Sequence, residues 1–307
     1  MTFENWIPEE WGSNPITRVE QRSAVEALAR PEMMSAPTKH VPREEGVGVQ
    51  NTAKGTAYVR DTSTNGEVLL TRRKITGAIQ IAEEDLTDAA PNVIETKKVN
   101  WATSAAKYLD NAALGTSGAM NGTTVPYESL YYLLGQSNAE TAYTAGDNIV
   151  LGDATYEALS DVAGRYEDSD YFDAANTHVI ASPVFKRLFR DVRDDENRPV
   201  FVQGRDSTPD TLWGYPVFWS TGCRVSAAAT VNPVGNPLLY VGNTDYLISG
   251  RGFGRGITEQ QGSIESQIIP PEISDTDEAL LKMRLFRAFA LGHEHAWACL
   301  EYDPAQS

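Results

Sequence analysis

Four groups of residues in this chain are of the right types for chemistry: His293-Glu294-His295, the run Gly250-Arg-Gly252-Phe-Gly254-Arg-Gly256, two acidic clusters, and the cysteines Cys223 and Cys299. On an extended segment His293 and His295 share a face, so two imidazoles can converge. A zinc protease instead needs its histidines one helical turn apart with a Glu beside the first, and no third ligand is signalled here. The pattern predicts a structural or interface role. The glycine run has the composition of a phosphate cradle but no strand–turn–helix context, so it predicts a surface loop. Asp168, Asp170 and Asp173, then Asp191, Asp194, Asp195 and Glu196, do not follow calcium-loop spacing and read as solvated turns. The cysteines lie far apart and define neither a disulfide framework nor a zinc pattern, consistent with synthesis in a reducing interior. With no Gly-x-Ser-x-Gly elbow either, the expectation is no catalytic residue, no metal and no cofactor.

The elements around these groups look built for rigidity. His178–Ala181 is a short β-branched strand, and Ser182-Pro183 is a helix start, Ser as cap and Pro at the first helical position. Val184, Phe185, Leu188, Phe189 and Val192 repeat at helical spacing. Asp194–Asn197 ends that helix, Pro199-Val-Phe-Val resumes an extended run, and Leu212–Phe218 adds a turn and a second strand. Strands are also predicted at Arg224–Val231, Leu238–Val241 (before a Gly-Asn turn) and Tyr246–Ile248. Ala279–Tyr302 is read as strand rather than helix because of its mixed periods and the Gly292 break. A helix from Asp153 or Thr155 to about Tyr166 turns Tyr156, Leu159, Val162, Ala163 and Tyr166 inward.

The chain has 307 residues, 41% hydrophobic and 22% charged, normal for a folded protein. No stretch reaches the roughly 18 apolar residues of a membrane helix, and no membrane partner is expected. The N-terminal residues lack the basic leader and apolar core of a secretory signal. With 42 acidic and 26 basic residues, the net charge of −16 runs against tight phosphate binding, which is driven by cationic faces.

Residues 1–45 read as an extended arm interrupted by Pro8, Pro15, Pro31, Pro37 and Pro42, with one short helix within Thr17–Ala29. Trp6 and Trp11 are apolar groups on a segment with no core of its own, so they are expected to lie on something else. Residues 46–82 read as a long hairpin turning at Asn65-Gly66, with Arg72, Arg73 and Lys74 on its second strand and both faces largely polar. Glu83–Pro91 is an acidic helix opening. The helix that follows runs to about Leu114, with Ile94, Trp101, Ala105, Tyr108 and Ala112 in one stripe and Gly115 and Gly118 as stops.

The strand–helix–turn–strand block with its Gly214-Tyr-Pro-Val strand resembles the axial domain of tailed-phage major capsid proteins, the Hong Kong 97-type shell fold. The order arm, long hairpin, long helix, block and closing strand is similar to that family over nearly the whole chain. Asn5-Trp6-Ile7-Pro8-Glu9 looks like the start of several members, and His293-Glu-His-Ala-Trp297-Ala fills the closing place. The resemblance implies an α+β fold with an arm (1–45), an extended hairpin loop (46–82), a peripheral domain with a spine helix (83–150), an axial domain (151–270) and a return to the peripheral domain (271–307).

It also implies a structural subunit assembling as hexamers and pentamers into an icosahedral shell around double-stranded DNA. The expected partners are other copies, a portal, a decoration protein and a separate scaffolding protein or none, with DNA held without sequence specificity. The expected location is the virion capsid, after synthesis in the bacterial host cytoplasm. Trp6, Trp11, Lys54, Arg72, Arg73, Lys74, Arg251 and Arg255 are the candidate contacts between subunits. Some members cross-link through a Lys–Asn isopeptide bond. Lys54 and Lys74 lie where such a lysine would, but no asparagine follows Asn243, so non-covalent assembly is expected. The rival readings are an encapsulin-type nanocompartment and a soluble α+β enzyme or binding protein.

Overall fold

A computed structural model of the chain describes residues 22–44, 46, 49, 51–58, 65–82, 93–194, 196–204, 208–252, 265–269 and 278–303. Helix α1 (Ala24–Leu28) leads into β1 (Arg30–Met34) and β2 (Thr38–Glu44), followed by β3 (Asn65–Thr71) and β4 (Arg73–Ala82). β2 and β3 form an antiparallel ribbon, with Thr38 opposite Thr71 and Glu44 opposite Asn65. The predicted hairpin is therefore corrected: Asn65-Gly66 opens the returning strand, Thr56–Tyr58 is no strand, and the outgoing strand lies inside the predicted arm. The alternation explains why. Val41 and Val68 on the ribbon pack with buried Met34, Leu70 and Ile248 of the same chain, whereas Tyr58 is 89% exposed. One face of the ribbon is thus apolar and rests on its own core.

β1, β4, β11 (Leu247–Gly252), β12 (Glu265–Ile269) and β13 (Glu278–Leu291) make a five-stranded sheet. β13 is central, with β4 along one edge and β12 and then β11 along the other. Its 14 residues span about 46 Å. A seven-stranded sheet runs in the order β5 (Ile149–Gly152), β14 (Trp297–Tyr302), β10 (Leu238–Asn243), β6 (Thr177–Ala181), β9 (Tyr215–Trp219), β8 (Thr211–Leu212) and β7 (Phe201–Val202).

Two segments cross between the sheets side by side. β10 passes through a 3-10 turn at Thr244–Tyr246 into β11, and β13 passes through one at Glu294–Ala296 into β14. The predicted strand over 279–302 is borne out, with this turn inside it. Gly242-Asn243, predicted as a turn, ends β10 instead.

Helix α2 (Val93–Leu114) is 22 residues long, about 33 Å. Its predicted acidic opening lies outside the described residues. Of the predicted stripe, Ala105 and Ala112 are buried, and Ile94, Trp101 and Tyr108 are half-buried. From Leu109 to Thr116 every residue is buried, so the C-terminal part of the helix is inside the fold. α2 ends where a Cβ on Gly115 would stand 2.1 Å from the Arg224 carbonyl oxygen. α3 (Leu130–Leu134) and α4 (Tyr156–Glu167) follow, capped by the hydroxyls of Ser129 and Thr155. Leu159, Val162, Ala163 and Tyr166 of α4 are buried as predicted, but Tyr156 is exposed and meets Trp213 edge-on.

In the predicted rigid block, α5 (Phe185–Leu188) is only four residues long and Ser182 does not cap it: its backbone oxygen accepts from Phe185 while its hydroxyl is buried. Phe185, Phe189, Phe201, Leu212 and Val217 nevertheless share one core, so burial rather than helical hydrogen bonding holds the block. Trp213 and Gly214, at φ +50° and +92°, turn β8 into β9, a two-residue hairpin of the type that needs positive φ at both positions. Arg224–Val231 is not a strand; it is a loop held by isolated bridges to Thr116 and Pro237.

The glycine run is also corrected. Gly250 and Gly252 are buried in β11, where a Cβ would fall 2.6 Å from the Met34 sulfur and 2.2 Å from Arg72 Cδ. They are small to let neighbours close in, not to loosen a loop. Gly254, Arg255 and Gly256 lie outside the described residues.

The paired crossing yields a stability test. A Cβ on Gly242 would stand 2.4 Å from the Trp297 ring and 2.5 Å from the Ala296 oxygen. Gly242→Ala should destabilise the subunit by about 1–3 kcal/mol, the usual cost of overpacking, read as a lower midpoint in thermal or denaturant unfolding. Gly214→Ala, strained by φ rather than by space, should cost about 1 kcal/mol.

Candidate assembly surface and its internal anchor

The buried end of α2 carries a polar pair, Asp110-Asn111, at 2% and 0% exposure. A buried carboxylate survives only if its oxygens are satisfied, and here four donors converge on it. Ser23 Oγ donates at 2.5 Å, Ser220 Oγ at 2.6 Å, and the backbone N–H groups of Ala24 and Val25 at 3.0 and 3.3 Å. The two N–H groups open α1 and have no partner within that helix. Ser23 Oγ in turn accepts from Glu26 N, so one carboxylate orders the entire start of α1. Burial pushes the Asp110 carboxyl above the usual carboxylate range, and the bonds from Ser220, Ser23, Ala24 and Val25 only partly offset this.

Asn111 does the same for the following loop. Its amide donates to the Gly222 and Arg224 oxygens at 2.9 and 3.0 Å, and its oxygen accepts from Ser226 Oγ and Thr230 N. The other side of α1 is tied to the five-stranded sheet: Arg287 of β13 pairs with the Glu26 carboxylate, and Arg251 of β11 donates to the Glu26 backbone oxygen at 3.3 Å. Sequence reasoning missed Asp110 and Asn111 because it followed only the apolar stripe of this helix. The signal was there in Ala112-Ala113-Leu114, which leaves α2 no polar side at that level.

The predicted contact residues fall in different places. Trp6, Trp11 and Arg255 lie outside the described residues. Lys54 is exposed in a turn. Arg72 stacks on the Phe286 ring at 5.2 Å, and Arg251 is engaged within its own chain. Arg73 and Lys74 open β4 on the rim of a cleft against α2, with Arg73 Nε donating to the Pro126 oxygen at 3.2 Å.

His293 and His295 sit at the crossing between the sheets, not on a shared strand face. His293 Nδ1 accepts from His295 N at 3.3 Å, and Asn243 Oδ1 accepts from Asp245 N at 3.0 Å in the parallel turn. Tyr171 covers both, stacked on His293 at 4.0 Å and edge-on to Tyr246 at 5.2 Å. Among the described residues no group of three His, Cys, Asp or Glu is arranged to hold a metal. Asp194 closes its own turn by accepting from Glu196 N and Arg198 N; the Arg198 N–H first, then its guanidinium, hold its carboxyl below the usual range. Cys223 and Cys299 are buried and unpaired.

The profile of the phage capsid family matches residues 4–262. Among solved structures, one titled "Capsid of native GTA particle computed with C5 symmetry" superposes with a TM-score of 0.71 at 14% identity, covering 97% of this chain and 96% of its own. One from Mycobacterium phage Bobi gives 0.70 at 14% identity, covering 98% and 97%. One from Microbacterium phage Oxtober96 gives 0.64 at 15% identity, covering 98% of each chain. No curated protein matches in sequence.

The Asp110 anchor has a measurable signature. Asp110→Ala strands two backbone N–H groups and two hydroxyls and should cost about 3 kcal/mol in unfolding free energy. Because the folded-state pKa is raised, the folded protein holds this proton more tightly than the unfolded chain. Asp110 therefore lowers stability as pH rises from about 4 through its raised pKa, and that cost is absent at lower pH. Asp110→Asn should remove this component. The difference in unfolding midpoint between wild type and Asp110→Asn, followed from pH 4 to 8, should change with pH; a flat difference would show Asp110 is not titrating in that window.

Proposed function

The chain belongs to the phage capsid family and is a structural, major capsid protein, and from that premise we propose that its copies assemble as hexamers and pentamers into an icosahedral shell around double-stranded DNA. The observation that carries this is the family match over residues 4–262, together with a fold similar over 97% of the chain to the structure titled as the capsid of a native GTA particle. In this reading the five-stranded sheet braced by α2 is the peripheral domain and the seven-stranded sheet the axial domain, which corrects the expected bounds. α1, β1 and β4 lie within the fold, β11 and β12 join the first sheet, β14 joins the second, and the stretch around Val49 and Tyr58 reaches outward. The hairpin loop supports the last point: Val49 and Tyr58 are 97% and 89% exposed, side chains whose burial against a neighbour is favourable by about 1.5–3 kcal/mol each.

Cohesion then comes from many modest interfaces multiplied by symmetry. DNA is held without sequence-specific contacts, in keeping with the net charge of −16. The role requires no catalysis. A portal, a scaffolding protein and a decoration protein are further partners in this proposal, the protein being made in the bacterial cytoplasm and residing in the virion capsid.

Negative-stain electron microscopy of the purified protein should show closed megadalton particles, and size-exclusion chromatography should agree. A stable monomer under all conditions would defeat the proposal, and particles filled with a cargo protein would point to a nanocompartment. Boiling particles in SDS should release only monomers, because no asparagine follows Asn243 to accept a lysine. Reductant-resistant ladders would show covalent linkage.

A further inference from the structure

Between β4 and α2 lies an open cleft of about 330 Å³. Arg73, Lys74, Ile75 and Thr76 form one wall, Trp101, Ser104, Ala105 and Tyr108 the other, and Gly122, Thr123 and Pro126 close one end beside Val231. Its floor is apolar and aromatic: Ala105 is buried, and Trp101 and Tyr108 are half-buried. Its rim is cationic. Among the described residues neither Arg73 nor Lys74 has an ion-pair partner, in a chain whose net charge is −16. Such a site fits an extended peptide that brings both carboxylates and aromatic rings.

The chain carries one such peptide. Glu4-Asn-Trp-Ile-Pro-Glu-Glu-Trp11 has three carboxylates and two indoles, and no lysine or arginine occurs before Arg18. Pro8 disfavours a helix through it. The described chain enters at residue 22 and is anchored by Ser23 to Asp110, on the helix that walls the cleft at Trp101–Tyr108. We propose that Glu4–Trp11 docks in the β4–α2 cleft, its glutamates paired with Arg73 and Lys74 and its indoles on Trp101 and Tyr108. This goes beyond the shell assignment, since it names which surface receives the segment and by what chemistry.

The test places a photoreactive phenylalanine analogue in place of Trp6, irradiates the full chain both assembled and unassembled, and maps the cross-links by mass spectrometry. Cross-links to residues 73–76, 101–108 or 122–126 are expected. Lys74→Glu, an exposed change that leaves Arg73 on the Pro126 oxygen, should lower their yield about tenfold, and Glu9→Lys with Glu10→Lys should restore it in that background. Mixing heavy- and light-isotope copies assigns the segment to the same or a neighbouring copy, either of which upholds docking. Cross-links elsewhere, or a yield indifferent to charge reversal, overturn it. Micrographs of the same samples read shell formation separately. Shells with cross-links outside the cleft sink only this proposal, and cleft cross-links without shells sink only the assembly reading.

Discussion

The arrangement depends on a polar pair placed where the fold is otherwise driest. Asp110 and Asn111 are adjacent on α2 and diverge, one toward α1 and Ser220, the other toward the loop from Gly222 to Thr230. In an apolar interior a hydrogen bond left unmade costs more than a made one contributes. These two side chains therefore act less as glue than as a constraint on register. α1 cannot slide along α2 without stranding the Asp110 carboxylate, and the 222–230 loop cannot shift without orphaning the Asn111 amide. Gly222 completes the fit, since a Cβ there would stand 2.7 Å from Asn111 N.

From that fixed point the rest of the frame is built by strands that belong to both sheets. β10–β11 and β13–β14 run side by side, pair before and after the bend, and bend at the same level. One bent strand would be a hinge; two paired strands, bridged by the Gly292 N–H on the Tyr246 oxygen at 2.7 Å, form a bracket. Asn148 adds to it by donating to the Glu294 and Trp297 oxygens. The two sheets therefore share one frame, while the β2–β3 ribbon and the N-terminal half of α2 carry more exposed residues. A subunit with a stiff centre and exposed extremities suits a role in which the extremities meet other molecules.

Much of this was legible in the sequence, and the misses have identifiable causes. The strands at Thr177–Ala181, Leu238–Asn243 and Glu278–Leu291, and the helices at Val93–Leu114 and Tyr156–Glu167, followed from periodicity because burial on one face dictates it. The hairpin was misplaced because Asn-Gly is a strong local turn signal, whereas the true partner strand is chosen by the distant apolar core of Met34, Leu70 and Ile248. Arg224–Val231 has strand-like composition, but Asn111 and the close approach of Gly235 to Val225 hold it as a loop. Ser182 looked like a cap and failed to be one because Phe185 and Phe189 had to enter the core, and four helical residues sufficed for that. In each case a long-range contact overrode a local preference.

Several groups that first looked chemical are engaged in bonds that chemistry would have to break. Asp194 is held by the backbone of its own turn, and Asp173 accepts from Ala175 N and Asn176 Nδ2. His293 accepts a backbone N–H with one nitrogen while its ring is stacked on Tyr171. A general base or a metal ligand needs a lone pair facing open space where a substrate or ion can arrive. A lone pair that already closes a turn is the wrong raw material, and burial only deepens the mismatch, as with Cys223, whose thiol is pushed up by desolvation away from any nucleophilic thiolate. The cations of β4 are different: Arg73 and Lys74 stand at a cleft rim, with the strand behind them pinned to β13. Fixed charge on a rigid edge, beside aromatic surface, is a means of recognising another polypeptide.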